Sequence, residues 1–123
     1  MMQRNNTGYE DGHYDFISGH VEDNENPTTA VIREAHEEAG IKVSEKDLKI
    51  VHVMTRQGTD HERVDFFFET TKWKNTPHAA EPEKCSNTEW FEMKKLPKDI
   101  IKPVKFALNK IEQSIFYSEY GWK

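Results

Sequence analysis

Gly19 to Ile41 reads GHVEDNENPTTAVIREAHEEAGI, and the fold turns on this stretch. Asn26 is a good N-cap, since its side-chain oxygen can accept from an orphan N–H of the first helical turn. Pro27 suits the first helical position. Gly40 supplies the left-handed residue that ends a helix, and apolar Ile41 follows it. The spacing predicts a helix that opens at Pro27 and closes before Gly40. Val31, Ile32, Ala35 and Ala39 form its packed stripe, and the two alanines allow close approach to a sheet.

The other face carries Glu34, Glu37 and Glu38 at positions i, i+3 and i+4, three carboxylates within one turn. Like charges at this spacing cost about 0.2–0.5 kcal/mol per pair. Negative charge near a helix C-terminus is also unfavourable. Selection for stability alone would favour Lys or Arg there. Hard divalent cations prefer carboxylate oxygens, so the face reads as a magnesium shelf. It reads equally as a solvated acidic face softened by Arg33, His36 and Lys42. Periodicity alone does not separate the two.

Outward from the helix, strands and helices are interleaved. Met1 to Arg4 reads as the end of a strand, Asn5 to Gly12 as turn chemistry, and Tyr14 to Ser18 as a short strand. Leu48 to Met54 and Val64 to Phe68 are nearly continuous apolar runs, which predicts strands covered on both faces. Trp90, Phe91 and Met93 mark another strand. Val104, Leu108, Ile111 and Ile115 recur at helical spacing across Pro103 to Tyr117. An irregular stretch from Trp73 to Glu89 is long enough to be a functional loop. The pattern is that of a layered α/β domain.

The 123 residues fit one domain, 1–123, that can bury a core without staples. Hydrophobic residues make up 35% and charged residues 32%, and 7 Phe, 4 Tyr and 3 Trp argue against disorder. The net charge of -5 argues against a nucleic-acid backbone or an anionic membrane surface as partner. An anionic ligand would need something other than net charge to draw it in, and a bound divalent cation would do. Cys85 is the only cysteine, which excludes an internal disulfide and reads best as a small buried hydrophobe. No apolar run suits a membrane span and no leader pattern opens the chain, so a cytoplasmic protein is expected.

Spacing separates the two readings of the acidic face. Gly19, then Glu25, then Arg33-Glu34, Glu37-Glu38 and Gly40-Ile41 resemble the complete Nudix box, with Ala35 the one soft match. Arg4 to Gly12, Glu81 to Cys85, Trp90-Phe91 and Leu96-Pro97 are similar to flanking parts of small, MutT-like Nudix hydrolases. The resemblance implies an α/β/α sandwich with a mixed sheet. It implies hydrolysis of a nucleoside diphosphate linked to another group, with Mg²⁺ as cofactor and Mn²⁺ as a substitute. The matching metal ligands are Glu34, Glu37, Glu38 and the Gly19 carbonyl. Glu34 is also the residue to orient or deprotonate the attacking water. Arg33 and Glu25 match positions that hold helix and loop together. A further acid from the late loop falls on Glu81 or Glu83, and the sequence does not choose between them.

For the substrate, Arg4 can grip a phosphate or simply sit on the surface. Tyr14, Phe66 and Phe68 can stack on a base or belong to the core. Ile17-Ser18 stands where relatives carry Pro-Gly or a small apolar residue. The family's first strand lies upstream of Arg4, so Met1 to Arg4 reads as a stub beside an open edge, which predicts a homodimer. Two other functions compete: a silent Nudix-like nucleotide sensor, opposed by the intact glutamates, and an isomerase of the same fold, which Cys85 in its context does not support.

Overall fold

The computed structural model describes residues 1–4, 14–15, 24–57, 62–81, 85–88 and 90–122. In chain order the elements are β1 (Met2–Arg4), β2 (Tyr14–Asp15), α1 (Pro27–Ala39), β3 (Leu48–Gln57), β4 (Glu62–Thr70), β5 (Cys85–Thr88), α2 (Lys102–Glu112) and β6 (Tyr117–Tyr120). A 3-10 turn at Glu45–Asp47 leads into β3. The strands form two sheets, β2-β1-β5 and β4-β3-β6.

The second sheet is mixed. β3 and β4 run antiparallel from Leu48↔Thr70 to Gln57↔Glu62, while β6 lies parallel to β3 with Val53 opposite Tyr117. A parallel neighbour requires a crossover, and α2 lies in the segment that returns the chain to β6. α2 buries Val104, Ala107 and Leu108, and its Phe106 packs on Tyr120 at 5.2 Å between ring centroids. Opposite residues share a face, so Met54, Ser118 and Tyr120 lie on the α2 side of the sheet with His52.

His52 is fully buried there, and both ring nitrogens have partners. Nδ1 lies 2.8 Å from the Ile115 carbonyl oxygen and Nε2 lies 2.7 Å from Ser118 Oγ. A carbonyl only accepts, so Nδ1 carries a proton. In the neutral ring Nε2 then accepts from the Ser118 hydroxyl. The Phe67 ring meets His52 edge-on at 5.9 Å. This node ties the middle of β3 to the chain just beyond α2.

A second apolar centre gathers Ile100, Ile101, Val104 and Leu108, with Met1, Phe91, Leu96 and Ile111 against it. Around α1, Ala35, Ala39 and Ile41 form a small cluster with Val43, and Ala30 is also buried. Val31 and Ile32 of the expected stripe are half-buried.

Four expectations from the sequence need correction. β4 is not covered on both faces: Val64 is 53% and Phe66 42% exposed, and Ile50 joins them on that face through a register shift between Ile50 and His52. The shift puts Ile50 across from Phe68, whereas unbroken alternation would have set it beside His52. Trp90, Phe91 and Met93 do not form a strand. Phe91 instead packs from a loop onto the Ile100 cluster, and the strand is the polar Cys85–Thr88, held by backbone pairing to β1. The last helix stops at Glu112, because Ser114 adopts a left-handed φ of 60°, and Tyr117 onward joins β3. Finally, β1 is not an edge, since it lies between β2 and β5. Of the short strand at Tyr14 to Ser18, Tyr14–Asp15 is observed. Phe16 to Ser18 and the turn at Asn5 to Gly12 lie outside the described residues.

Candidate active site

α1 begins and ends as its local chemistry dictates. The Asn26 side chain accepts from the Thr29 N–H at 2.8 Å, and Pro27 needs no N–H in the first turn. At the other end Gly40 adopts φ 69°, and its N–H reaches the carbonyls of Ala35 and His36. A Cβ on Gly40 would lie 2.1 Å from His78 Cε1. Only glycine satisfies the backbone angle and the contact together.

Arg33 organises the charged face. Its Nε donates to Glu25 Oε2 at 2.8 Å and its second terminal nitrogen, Nη2, to Glu25 Oε1 at 3.0 Å. This is a two-pronged guanidinium–carboxylate pair that ties the loop before α1 to the middle of the helix. The other terminal nitrogen, Nη1, lies 2.9 Å from Glu34 Oε1 and 3.1 Å from Glu37 Oε2. The side chains of Glu25 and Glu34 are only 11% and 12% exposed, so their pairing with Arg33 is weakly screened by water. Glu37 is 48% exposed and points to solvent. Glu38 is half-buried, with its Oε2 shielded from solvent.

The loop after β4 closes over the end of this helix. Lys42 and Lys74 exchange backbone hydrogen bonds at 3.1 and 2.9 Å. Asn75 Nδ2 donates to the Gly40 carbonyl at 3.3 Å. The His78 and Ala80 N–H groups donate to the carbonyls of Ala39 and Glu38, each at 3.0 Å. Helix-end carbonyls normally lack partners within the helix, and here the loop supplies them. Half-buried Glu81 follows directly on Ala80.

The structure therefore gathers Glu25, Glu34 and Glu37 around Arg33, with Glu38 one turn on from Glu34. Glu81 is next in sequence to Ala80, whose N–H meets the Glu38 carbonyl. Gly19 and Glu83 lie outside the described residues. Arg4 and Tyr14 lie in β1 and β2 of the other sheet. Phe66 and half-buried Phe68 lie on the open face of the mixed sheet beside Val64. Among the described residues no three Asp, Glu, His or Cys side chains gather tightly enough to ligate one ion. The donors at the helix face are all carboxylate oxygens, the chemistry that suits a hard divalent cation. Sequence reasoning missed Asn75 and His78. The only local signal for either is that Asn is the residue most tolerant, after glycine, of the positive φ found at Asn75, 74°.

The comparisons with known proteins fit this arrangement. The NUDIX domain family matches residues 1–110, and the chain belongs to that family. A curated relative, the 8-oxo-dGTP diphosphatase of Proteus vulgaris, is 36% identical over 75 residues, 61% of this chain and 65% of that protein. The match thus spans just under two thirds of the relative's length. The crystal structure of a MutT NUDIX hydrolase from Burkholderia pseudomallei superposes with a TM-score of 0.79 at 23% identity. It covers 88% of this chain and 83% of the other. The fold is the α/β Nudix fold, with a mixed sheet and two helices. Among the described residues no helix is long and apolar enough to cross a membrane.

Proposed function

We propose that this chain is a single-domain Nudix hydrolase, 1–123, that cleaves a pyrophosphate bond in a nucleoside diphosphate carrying a further group. The observation that carries the reading is the Arg33 network. One guanidinium grips Glu25 with two hydrogen bonds and reaches Glu34 and Glu37 with its remaining nitrogen. A helix built only for stability has no use for three acids around one arginine. A helix that must present carboxylates in a fixed orientation does.

Glu34, Glu37 and Glu38 would supply ligands to Mg²⁺, or Mn²⁺ in its place, with Glu81 or Glu83 and the Gly19 carbonyl as further ligands. Water and substrate oxygens would complete the set, because no three of the described acids close around one ion. A cation held there would supply charge to neutralise phosphate oxygens and to acidify water. Arg33 holds Glu34 through Oε1, and Glu34 would orient or deprotonate the attacking water. Glu25 holds Arg33 and so sets the rotamer of Glu34 through it. Arg4 binds substrate phosphate, and Tyr14, Phe66 and Phe68 offer aromatic surface to the base. The Proteus relative supports an oxidised purine nucleoside triphosphate as the first substrate to try. A homodimer in the cytoplasm belongs to the same proposal, although the pairing of β1 on both sides removes the open edge as its ground.

The test is hydrolysis of a panel of nucleoside triphosphates, 8-oxo-dGTP, dinucleoside polyphosphates, ADP-ribose and nucleotide sugars, each with Mg²⁺ and with EDTA. Chromatography should find a nucleoside monophosphate from at least one member, with Mg²⁺ only. Tight nucleotide binding without turnover across the panel would favour a silent sensor instead.

A further inference from the structure

The loop after β4 satisfies the last carbonyls of α1 and reaches one residue past the helix, to Gly40. Asn75, His78 and Ala80 serve three successive carbonyls in reverse order, those of Gly40, Ala39 and Glu38. The loop is held on its near side by the Lys42–Lys74 bridge. The His78 ring lies against Gly40, where a Cβ would meet Cε1 at 2.1 Å, and its Nδ1 donates to the Thr76 carbonyl at 3.1 Å. That second bond is local to the loop and orients the exposed His78 ring beside the glycine. The last contact, Ala80 to Glu38, falls one residue before Glu81 and on one of the acids assigned above to the cation.

We propose that the segment from Lys74 to Ala80 is a positioning clamp, with His78 as its central positioning residue, that sets Glu81 against the acidic end of α1. The proposal rests on the reading of Glu34, Glu37 and Glu38 as cation ligands. The His78 ring packed on Gly40 fixes how far the loop can approach the helix. The backbone bonds at His78 and Ala80 fix its register, so that residue 81 arrives beside residue 38. Gly40 then has two duties: ending the helix, and leaving room for the ring that registers the loop. His78 touches neither substrate nor cation in this scheme and acts through Glu81.

The experiment uses the full chain and Mn²⁺ alone. Free Mn²⁺ is counted by electron paramagnetic resonance for wild type, His78→Ala, Glu81→Gln and the double variant. Amide exchange of Ala80 is followed without metal. His78→Ala should weaken Mn²⁺ binding about 10-fold, the usual range for a residue that orients a ligand. It should also speed exchange at Ala80 while the global melt stays near wild type. The double variant should bind no more weakly than Glu81→Gln alone, since His78 works through that carboxylate. Wild-type affinity in His78→Ala would overturn the clamp and leave the cation site standing. Losses that multiply in the double variant would also overturn it. Absence of Mn²⁺ binding by wild type, with Ala80 still protected, would instead remove the cation site and the clamp's purpose with it.

Discussion

Two polar clusters in this molecule are built in opposite ways. The His52 node is built around a fully buried ring. Each ring nitrogen has one partner, at 2.8 and 2.7 Å, and the ring edge meets Phe67. The Arg33 cluster is half-open and sets one guanidinium among Glu25, Glu34 and Glu37, with Glu38 close by on the helix. Every group in the first cluster is satisfied within the protein, which is how a buried polar group stabilises a fold. The second carries more negative charge than its arginine can offset, which works against the helix that bears it. The difference separates a structural polar site from one whose charges await a ligand.

Substitutions should divide along the same line. The largest effect is expected from Glu34→Gln, which keeps shape and removes charge. Turnover should fall by roughly 10³-fold or more, on the scale of losing a group that acts in the transition state. The thermal melt should hold or rise, and measuring rate and melt on the same sample checks both. Arg33→Lys keeps the charge and loses the fork. Turnover should drop about 10- to 100-fold, the range for groups that orient metal ligands, with little change in substrate KM.

In the other cluster the readouts exchange. His52→Leu should cost about 2–4 kcal/mol in urea unfolding, because the buried Ser118 hydroxyl and the part-buried Ile115 carbonyl lose their partner. Turnover per folded molecule should be unchanged. An activity loss in His52→Leu larger than its loss of folded protein would break the division. The smallest effect belongs to a residue outside both clusters: Asn26→Ala removes the cap on Thr29 and should lower stability by about 1 kcal/mol.

The sequence was most informative where structure is local. Asn26, Pro27 and Gly40 act on their own helix, so both ends of α1 could be read directly, whereas the link of Arg33 to Glu25 was implied by the family resemblance. Contacts set by distant parts of the chain were hidden. β5 is the polar run CSNT, which pairs through its backbone and shows no apolar alternation. β6 was hidden because Ile115 continues the helical spacing of Leu108 and Ile111 although the helix has already ended at Glu112. The exposed face of β4 depends on a register shift in its neighbour. The contact of His78 with Gly40 joins positions that no spacing rule connects.

The most direct test of the account is Glu38→Gln studied in parallel with wild type, with Mg²⁺-dependent nucleotide hydrolysis and thermal unfolding measured together. Glu38 stands at the acidic end of α1, where the loop meets the helix through the Ala80 bond. The account predicts a loss of turnover by orders of magnitude, a raised Mg²⁺ requirement, and a melt equal to wild type or higher as repulsion within the helix is relieved. Near wild-type turnover together with a lowered melting temperature would contradict it, and would make these acids part of the scaffold and not of the chemistry.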